Sequence, residues 1–267
     1  MISLIIAMTA GIGTFLTLQN TTELHIVWNT IFALLTVIII QLLFGLFFRK
    51  KINSITEQIQ KVIMEGQQKV QRKANMFQQK PAGGIKHMQK LLEKDQHASL
   101  RKALELTDLL TPWFKWSLLL NKQVSTMKMQ FNYQLGEFKE VDKLLPQCMF
   151  MDPLTVAMKM AREYKNDDPK FEKTFKSKIR KFKGDKGVLL YAVYTWALLK
   201  RGEKDAAFKV LTEAKDKCDN EVIYKNWEAL ANGKTKSFSN AGLGDEWYSL
   251  KLENPKMPKQ KMQKRFR

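Results

Sequence analysis

Residues 28–51 read WNTIFALLTVIIIQLLFGLFFRKK, and within this stretch no charged side chain occurs before Arg49. An α-helix rises about 1.5 Å per residue, so the run from Trp28 to Phe48 would be about 31 Å long. That length matches the hydrocarbon core of a bilayer, which is about 30 Å thick. The stretch therefore predicts a membrane-spanning helix over residues 28–48, followed at once by three cationic residues.

The sequence before this helix is also apolar. Residues 2–18 carry no charge, although Thr9, Thr14 and Thr17 lower their hydropathy. A cleaved signal peptide needs a basic start and a small-residue cleavage site, whereas this start has no Lys or Arg and is followed by Leu18-Gln19-Asn20. Residues 1–51 are therefore predicted to form a transmembrane hairpin with spans at about 2–18 and 28–48.

Small residues on the first span indicate how the hairpin is packed. Ala7 and Gly11 lie four residues apart, a spacing that lets two membrane helices approach closely. We expect this face to pack against the second span of the same chain rather than against another copy.

The orientation of the hairpin follows from its flanking charges. The connection 19–27 contains Glu23 and His25 but no Lys or Arg, whereas the second span is followed by Arg49-Lys50-Lys51. Lys and Arg are enriched on the cytoplasmic side of membrane proteins. Both termini are therefore predicted to be cytoplasmic, and two widely spaced cysteines with no metal-ligand spacing fit that reducing compartment.

Residues 52–80 have the pattern of a basic amphipathic helix. Ile52, Ile55, Ile59, Val62 and Val70 recur at helical spacing, although Gly66 interrupts this apolar stripe. One interpretation is that the stripe packs on the following domain, and another is that the cations contact anionic lipid; the two are compatible. The candidate lipid contacts are Arg49, Lys50, Lys51, Lys61, Lys69, Arg72 and Lys73. Pro81-Ala82-Gly83-Gly84 is predicted to be a linker.

Residues 85–233 show helical periodicity in recurring units. Gly136 and Gly202 each end one helix and precede another, and residues 166–169 (Asn-Asp-Asp-Pro) give a turn signal between them. Helix pairs are predicted at 123–153, 154–187 and 191–219, with a capping helix at 221–232. A fainter pair is predicted at 85–112, with its turn at Asp95-Gln96-His97.

The spacing and composition of these pairs resemble the tetratricopeptide repeat (TPR), which has a period of about 34 residues. Small Ala207 and Ala214 stand where the two helices of the third pair must approach closely. Two spans followed by such repeats are also similar in architecture to the HemY-like bacterial inner-membrane proteins, without implying a role in haem metabolism. The resemblance implies an all-α fold, with a TPR-like α-solenoid of about four helix pairs following the hairpin, and location in a bacterial inner membrane.

The resemblance also implies a partner-binding groove, because the first helix of each TPR pair lines the concave surface. Trp196 is the expected anchor for an acidic or C-terminal peptide, with the alternative that it packs between neighbouring repeats. The expected groove residues are Gln130, Tyr133, Met158, Arg162, Lys165, Trp196 and Lys200.

The last part of the chain, 234–267, is predicted to be a loop and a basic tail. Trp247, Tyr248, Leu250 and Leu252 are expected to fold back and cover the end of the helical stack. Residues 256–267 contain six Lys or Arg and no acid, a composition typical of disorder.

The net charge of +19 is concentrated in residues 49–90, 170–187 and the final twelve. Such patches are typical of proteins that bind anionic lipid or nucleic acid. The basic tracts show no regular interleaving of aromatics for base stacking, and residues 176–186 are the best nucleic-acid candidate against the alternative of a solvated helix face.

No catalytic motif is recognised in the sequence. It contains no P-loop, dinucleotide fingerprint or paired metal ligands, and His25, His87 and His97 do not cluster. We therefore expect no enzymatic activity, no cofactor and no metal. A membrane-anchored scaffold for protein partners is favoured, and a membrane-associated nucleic-acid or ribosome-binding protein is the alternative.

Overall fold

The computed structural model describes residues 2–21, 25–79, 84–117 and 119–255, and these residues form helices and turns without a strand. The all-α prediction is confirmed. The predicted tail at 256–267, Glu23 and most of the linker 81–84 lie outside the described residues. The chain divides into two compact units, Met1–Met149 and Phe150–Arg267, and this division falls inside the stretch predicted as one repeat domain.

Unit 1 begins with the two apolar helices α1 (Ile2–Thr21) and α2 (Ile26–Gln79), which pack on each other. Both are long and apolar enough to cross a membrane. Ala7 and Gly11 are buried between them, and a Cβ at Gly11 would lie 2.4 Å from Cγ2 of Val37. The expected packing of the small-residue face within the hairpin is confirmed.

Helix α2 is a single 54-residue element, so the predicted span and amphipathic helix are one continuous helix. No proline interrupts residues 26–79, and proline is the usual cause of a sharp break. The helix α3 (Gly84–Thr107) packs along α2, and their interface contains Ile59, Leu100 and Ala103.

The turn predicted at residues 95–97 is wrong, because these residues lie inside α3. Asp95 instead accepts from Lys73 and lies 3.0 Å from Nζ of Lys69, both on α2. The pair predicted at 85–112 is therefore not two helices with a turn at Asp95, because its apolar residues on both sides of that turn belong to α3, which lies along α2. Unit 1 is completed by a 3₁₀ turn at Asp108–Trp113 and by α4 (Leu120–Leu135) and α5 (Phe138–Leu144).

Unit 2 contains α6 (Pro153–Lys165), α7 (Lys170–Ile179), α8 (Val188–Lys200), α9 (Lys204–Lys217), α10 (Glu221–Ala231) and α11 (Asp245–Ser249). Its central helix is α8, which is buried from Val188 to Leu198 and packs against α6, α7 and α9. Ala207 and Ala214 of α9 are fully buried. The helix bounds agree with the pairs predicted at 154–187 and 191–219 and with the capping helix.

Four helices end with the same backbone geometry. At the end of α4, Gly136 has φ 80°, and the N–H of the next residue bonds to the carbonyl five residues back. This pair of features is the Schellman helix end, which favours glycine because φ is positive. Asp167, Gly202 and Gly233 end α6, α8 and α10 in the same way, about 31 to 35 residues apart.

Candidate functional site

Three of the seven residues expected in the groove are core residues. Tyr133 and Met158 are each 1% exposed, and Tyr133 packs edge-on against Phe138. Trp196 is also buried. These side chains belong to the packed interior, and for Trp196 this burial favours the interpretation as a packing residue.

The surroundings of Trp196 show how it is held. Its indole Nε1 donates to Oε1 of Glu253 at 2.8 Å, and Nε1 of Trp247 donates to Oε2 of the same carboxylate at 3.0 Å. The two indole rings meet edge to face with centroids 6.0 Å apart. Trp247 is fully buried, so the expectation that the last aromatics fold back over the helices is confirmed.

The other predicted groove residues are polar and at least partly accessible. Arg162 donates to Oδ1 of Asn166 at 3.0 Å, while Lys165 is exposed on the same helix and Gln130 is half-buried on α4. Lys200 is exposed, with Nζ 5.4 Å from the ring centroid of Trp196. Within unit 2, Arg162, Lys165 and Lys200 are cationic, while Trp196, the aromatic anchor that the sequence predicted, is buried.

The predicted lipid contacts differ in their position along α2. Arg49, Lys50 and Lys51 are exposed and directly follow the apolar run. At about 1.5 Å per residue, Lys61 lies about 18 Å beyond Arg49 along the helix axis, and Lys69 lies about 30 Å beyond it. Only the first three lie at the boundary of the apolar part of the helix.

Two of the distant cations already have an acidic partner. Lys73 and Lys69 hold the pKa of Asp95 below its ordinary value, chiefly through hydrogen bonds to the carboxylate. Arg72 and Lys69 line a shallow surface pocket on the same part of α2. Lys69 and Lys73 therefore belong to the α2–α3 pair, and Arg49, Lys50 and Lys51 are the better candidates for lipid head groups.

The largest cavity among those described is a groove in unit 2, formed by α7, α8 and α9, with a volume of about 890 Å³. We call it the α7–α9 groove. Its floor is aromatic: the rings of Phe175 and Tyr194 are stacked with centroids 4.0 Å apart, and Tyr191 meets Phe175 edge to face. All three residues are buried, so they form a fixed apolar base.

The rim of the α7–α9 groove is predominantly cationic. Five basic and two acidic side chains line it. Each acid has a basic neighbour in the next turn of its own helix: Glu172 pairs with Lys176, and Glu213 lies 2.6 Å from Nζ of Lys217. Within the part of the chain that the structure describes, no acidic partner is found for the remaining lining cations, which are Arg180, Lys183 and Lys209.

The two floor tyrosines are held in their neutral form. Burial, followed by the nearby Glu213 carboxylate, raises the pKa of Tyr191 well above its ordinary value, and Tyr191 donates to Oε1 of Glu213 at 3.2 Å. Burial also raises the pKa of Tyr194. The hydrogen bond from Lys217 lowers the pKa of Glu213, so the carboxylate stays charged and the phenol stays protonated at neutral pH.

The arrangement combines an apolar floor with unpaired positive charge at the edge. Its volume is within the range of small-ligand pockets, about 300–1,000 Å³. An acidic segment with apolar side chains on one face would match both the floor and the rim. Among the described residues, no group of three or more His, Cys, Asp or Glu is placed to hold a metal ion.

Sequence reasoning found only one side of this groove. Phe171, Phe175, Ile179 and Phe182 recur at helical spacing among lysines, and residues 176–186 were predicted as the best basic candidate. The contribution of α8 and α9 was missed, because Tyr191 and Tyr194 lie in a uniformly apolar helix whose sequence has no distinguishing face. The nearest available signal was the alternation of Lys209, Glu213 and Lys217 at helical spacing on α9.

The wider resemblance to TPR and HemY-like proteins depends on the architecture alone. The helical fold and two apolar N-terminal helices are present. The sequence matches no protein-family model, and comparisons with curated proteins and with solved structures also find no match.

Proposed function

We propose that this protein is a membrane-anchored adaptor that binds an acidic segment of a partner protein in the α7–α9 groove. The observation that carries the proposal is the pairing of a buried aromatic floor with the cations Arg180, Lys183 and Lys209 at the rim. Opposite charge steers a partner to such a site and fixes its register, while burial of apolar side chains supplies affinity.

In this proposal α1 and the first part of α2 hold the chain in a bilayer. Leu42, Leu43 and Leu46 are each more than 60% exposed, and a contiguous apolar surface of this kind needs an apolar solvent. Both termini face the cytoplasm of a bacterial cell, and the membrane is the inner one. Arg49, Lys50 and Lys51 then lie at the head groups, where each cation contributes about 1 kcal/mol with anionic lipid.

The helix pairs are proposed to be TPR-like repeats arranged as a solenoid, as in the HemY-like architecture. The recurrence of the Schellman helix ends at Gly136, Asp167, Gly202 and Gly233 supports this arrangement, because the spacing is close to the TPR period. Solenoids of this class offer extended surfaces for binding partners. The proposed role is binding rather than catalysis.

The proposed occupant is a peptide rather than a nucleic acid. Proteins that bind single strands stack bases on exposed aromatic faces, whereas Phe175, Tyr191 and Tyr194 are buried. An amphipathic acidic helix needs only ion pairs with the rim and apolar contact inside the groove, where Ile179 and Phe182 are partly exposed. The nucleic-acid alternative still has the rim cations in its favour and is an outcome of the test below.

The first prediction tests the rim. The full chain, reconstituted in zwitterionic vesicles, is titrated with a labelled model peptide that carries Glu and Leu at helical spacing, and separately with a single-stranded RNA. We expect Arg180→Glu, Lys183→Glu, Lys209→Glu to raise the Kd for the peptide at least about tenfold, or about 1.4 kcal/mol. The added negative charges would repel the acidic side chains.

The matched control is the surface that the sequence first predicted. The variant Arg162→Glu, Lys165→Glu, Lys200→Glu changes the net charge by the same amount, and we expect it to bind the peptide as the unmodified chain does. Loss of binding in this variant alone would move the site to α6 and α8. Tight RNA binding without peptide binding would instead establish the nucleic-acid alternative.

A further inference from the structure

The chain returns to the end of the apolar part of α2 after α3. Two tryptophans carry this contact: the ring centroid of Trp116 lies 4.5 Å from that of Phe48 and 6.1 Å from that of Phe44, and Trp113 lies 5.7 Å from Phe48. Phe48 is the last apolar residue before Arg49. The aromatic pair therefore lies at the level where the predicted span ends, and Trp116 extends about one helical turn deeper.

The beginning of α1 lies at the same level. The backbone N–H of Ile2 donates to the carbonyl of Lys115 at 3.3 Å. The start of the first apolar helix, the end of the second apolar run and residues 113–116 thus meet at one end of the hairpin. A bilayer that covers α1 and the apolar part of α2 has one surface at this point.

The side chains around this segment are suited to a membrane interface. Leu109 and Leu119 are 51% and 47% exposed, and Lys115 is exposed between them. Trp113 and Trp116 are half-buried, with Phe48 buried beneath them. Among the residues that the structure describes, no group accepts a hydrogen bond from either indole N–H.

We propose that residues 109–116 are a third membrane contact, an interfacial segment that lies in the lipid head-group region beside α2. This proposal rests on the proposed membrane anchoring of α1 and α2. Tryptophan is enriched at membrane interfaces because its ring is apolar while its N–H can bond to polar groups. Here lipid carbonyls or interfacial water accept from the two indoles, and the ammonium of Lys115 lies near lipid phosphates.

Under this proposal the segment fixes the depth at which the protein sits in the bilayer. A single helix can slide or tilt in a bilayer, whereas interfacial aromatic anchors oppose that movement. The segment also joins α3 to α4, so it holds the base of the α2–α3 pair at the membrane surface. Residues 109–116 therefore couple the membrane helices to the helices that follow.

The second prediction uses tryptophan emission as a depth probe. The full chain is reconstituted in vesicles whose lipids are brominated near the glycerol end of the acyl chains, so that only nearby indoles are quenched. We expect Trp113→Phe, Trp116→Phe to lose a large part of the quenchable emission. Trp227→Phe, which removes an indole of α10, is expected to leave that part unchanged.

A further variant separates failure of this proposal from failure of the anchor. Trp28 belongs to the apolar run of α2, so Trp28→Phe must lower quenching by lipid if that run spans the bilayer. A loss with Trp28→Phe but none with the Trp113 and Trp116 variant would overturn the interfacial contact alone. No loss with either would overturn the anchoring as well.

A second measurement avoids removal of the packed rings. A polarity-sensitive dye is attached at Leu109→Cys or, as the matched exposed control, at Lys139→Cys on α5, each in a Cys148→Ser background. We expect blue-shifted emission at position 109 and not at 139 in vesicles. Equal, water-like emission at both positions would overturn the proposal.

Discussion

At the scale of single residues, the carboxylate of Glu253 is the shared acceptor for two buried indoles, Trp196 and Trp247. The third prediction is that Glu253→Ala lowers the free energy of unfolding by about 2 kcal/mol or more, because a buried donor without an acceptor costs about 1–3 kcal/mol. A urea titration of the detergent-solubilised chain, followed by tryptophan fluorescence, measures the change.

The control for Glu253 is another acidic residue of the same region. Glu246 on α11 is exposed, so Glu246→Ala is expected to change stability by less than about 0.5 kcal/mol. Glu253→Gln keeps one acceptor oxygen and should fall between the two. Equal stability of all three variants would show that the shared hydrogen bonds do not contribute.

At the scale of the elements, the α2–α3 pair depends on a close approach at Gly66. A Cβ at this position would lie 2.2 Å from Oγ and 2.4 Å from Cβ of Ser99. Alanine in place of glycine normally stabilises a helix by about 1 kcal/mol. The fourth prediction is the opposite sign: Gly66→Ala should destabilise the pair by about 1–3 kcal/mol through overpacking, measured by urea titration.

A compensating change tests whether the contact is the cause. Ser99→Gly removes the side chain that the new methyl would meet, so Gly66→Ala with Ser99→Gly should recover most of the loss. Gly45 is a matched glycine of α2, since a Cβ there meets no atom within 4 Å, and Gly45→Ala should not destabilise. Destabilisation by Gly66→Ala that persists in the double variant would contradict this account.

At the scale of the whole molecule, the fifth prediction concerns topology. A membrane-impermeant maleimide applied to intact cells should label Thr21→Cys, at the end of α1 beside the short connection, but not Lys139→Cys on α5. The reason is the cationic cluster at Arg49, Lys50 and Lys51, which favours the cytoplasmic side. Labelling of position 139 before the cells are opened would reverse the orientation.

How much of this molecule follows from its sequence depends on whether the deciding signal is local. Helix ends at Gly136 and Gly202 were predicted because glycine adopts positive φ without strain. The turn predicted at Asp95 is wrong. The carboxylate of Asp95 is paired with Lys73 and Lys69 on α2, and a distant partner of this kind leaves no local signal in the sequence. The α7–α9 groove needs side chains from three helices, and Tyr191 gives no local indication that it faces Phe175.

Contacts between helices that are neighbours in sequence also bear on when, during synthesis, the protein folds. In unit 2, α6 contacts α7, α8 contacts α9, and α9 contacts α10. Chains dominated by such local contacts fold within microseconds to milliseconds, whereas a ribosome adds only about 5–20 residues each second. Folding can therefore keep pace with synthesis, and under the proposed anchoring α1 and α2 already tether the nascent chain to the bilayer. The groove is completed only when α9 emerges, so the proposed partner would meet a complete site only late in synthesis.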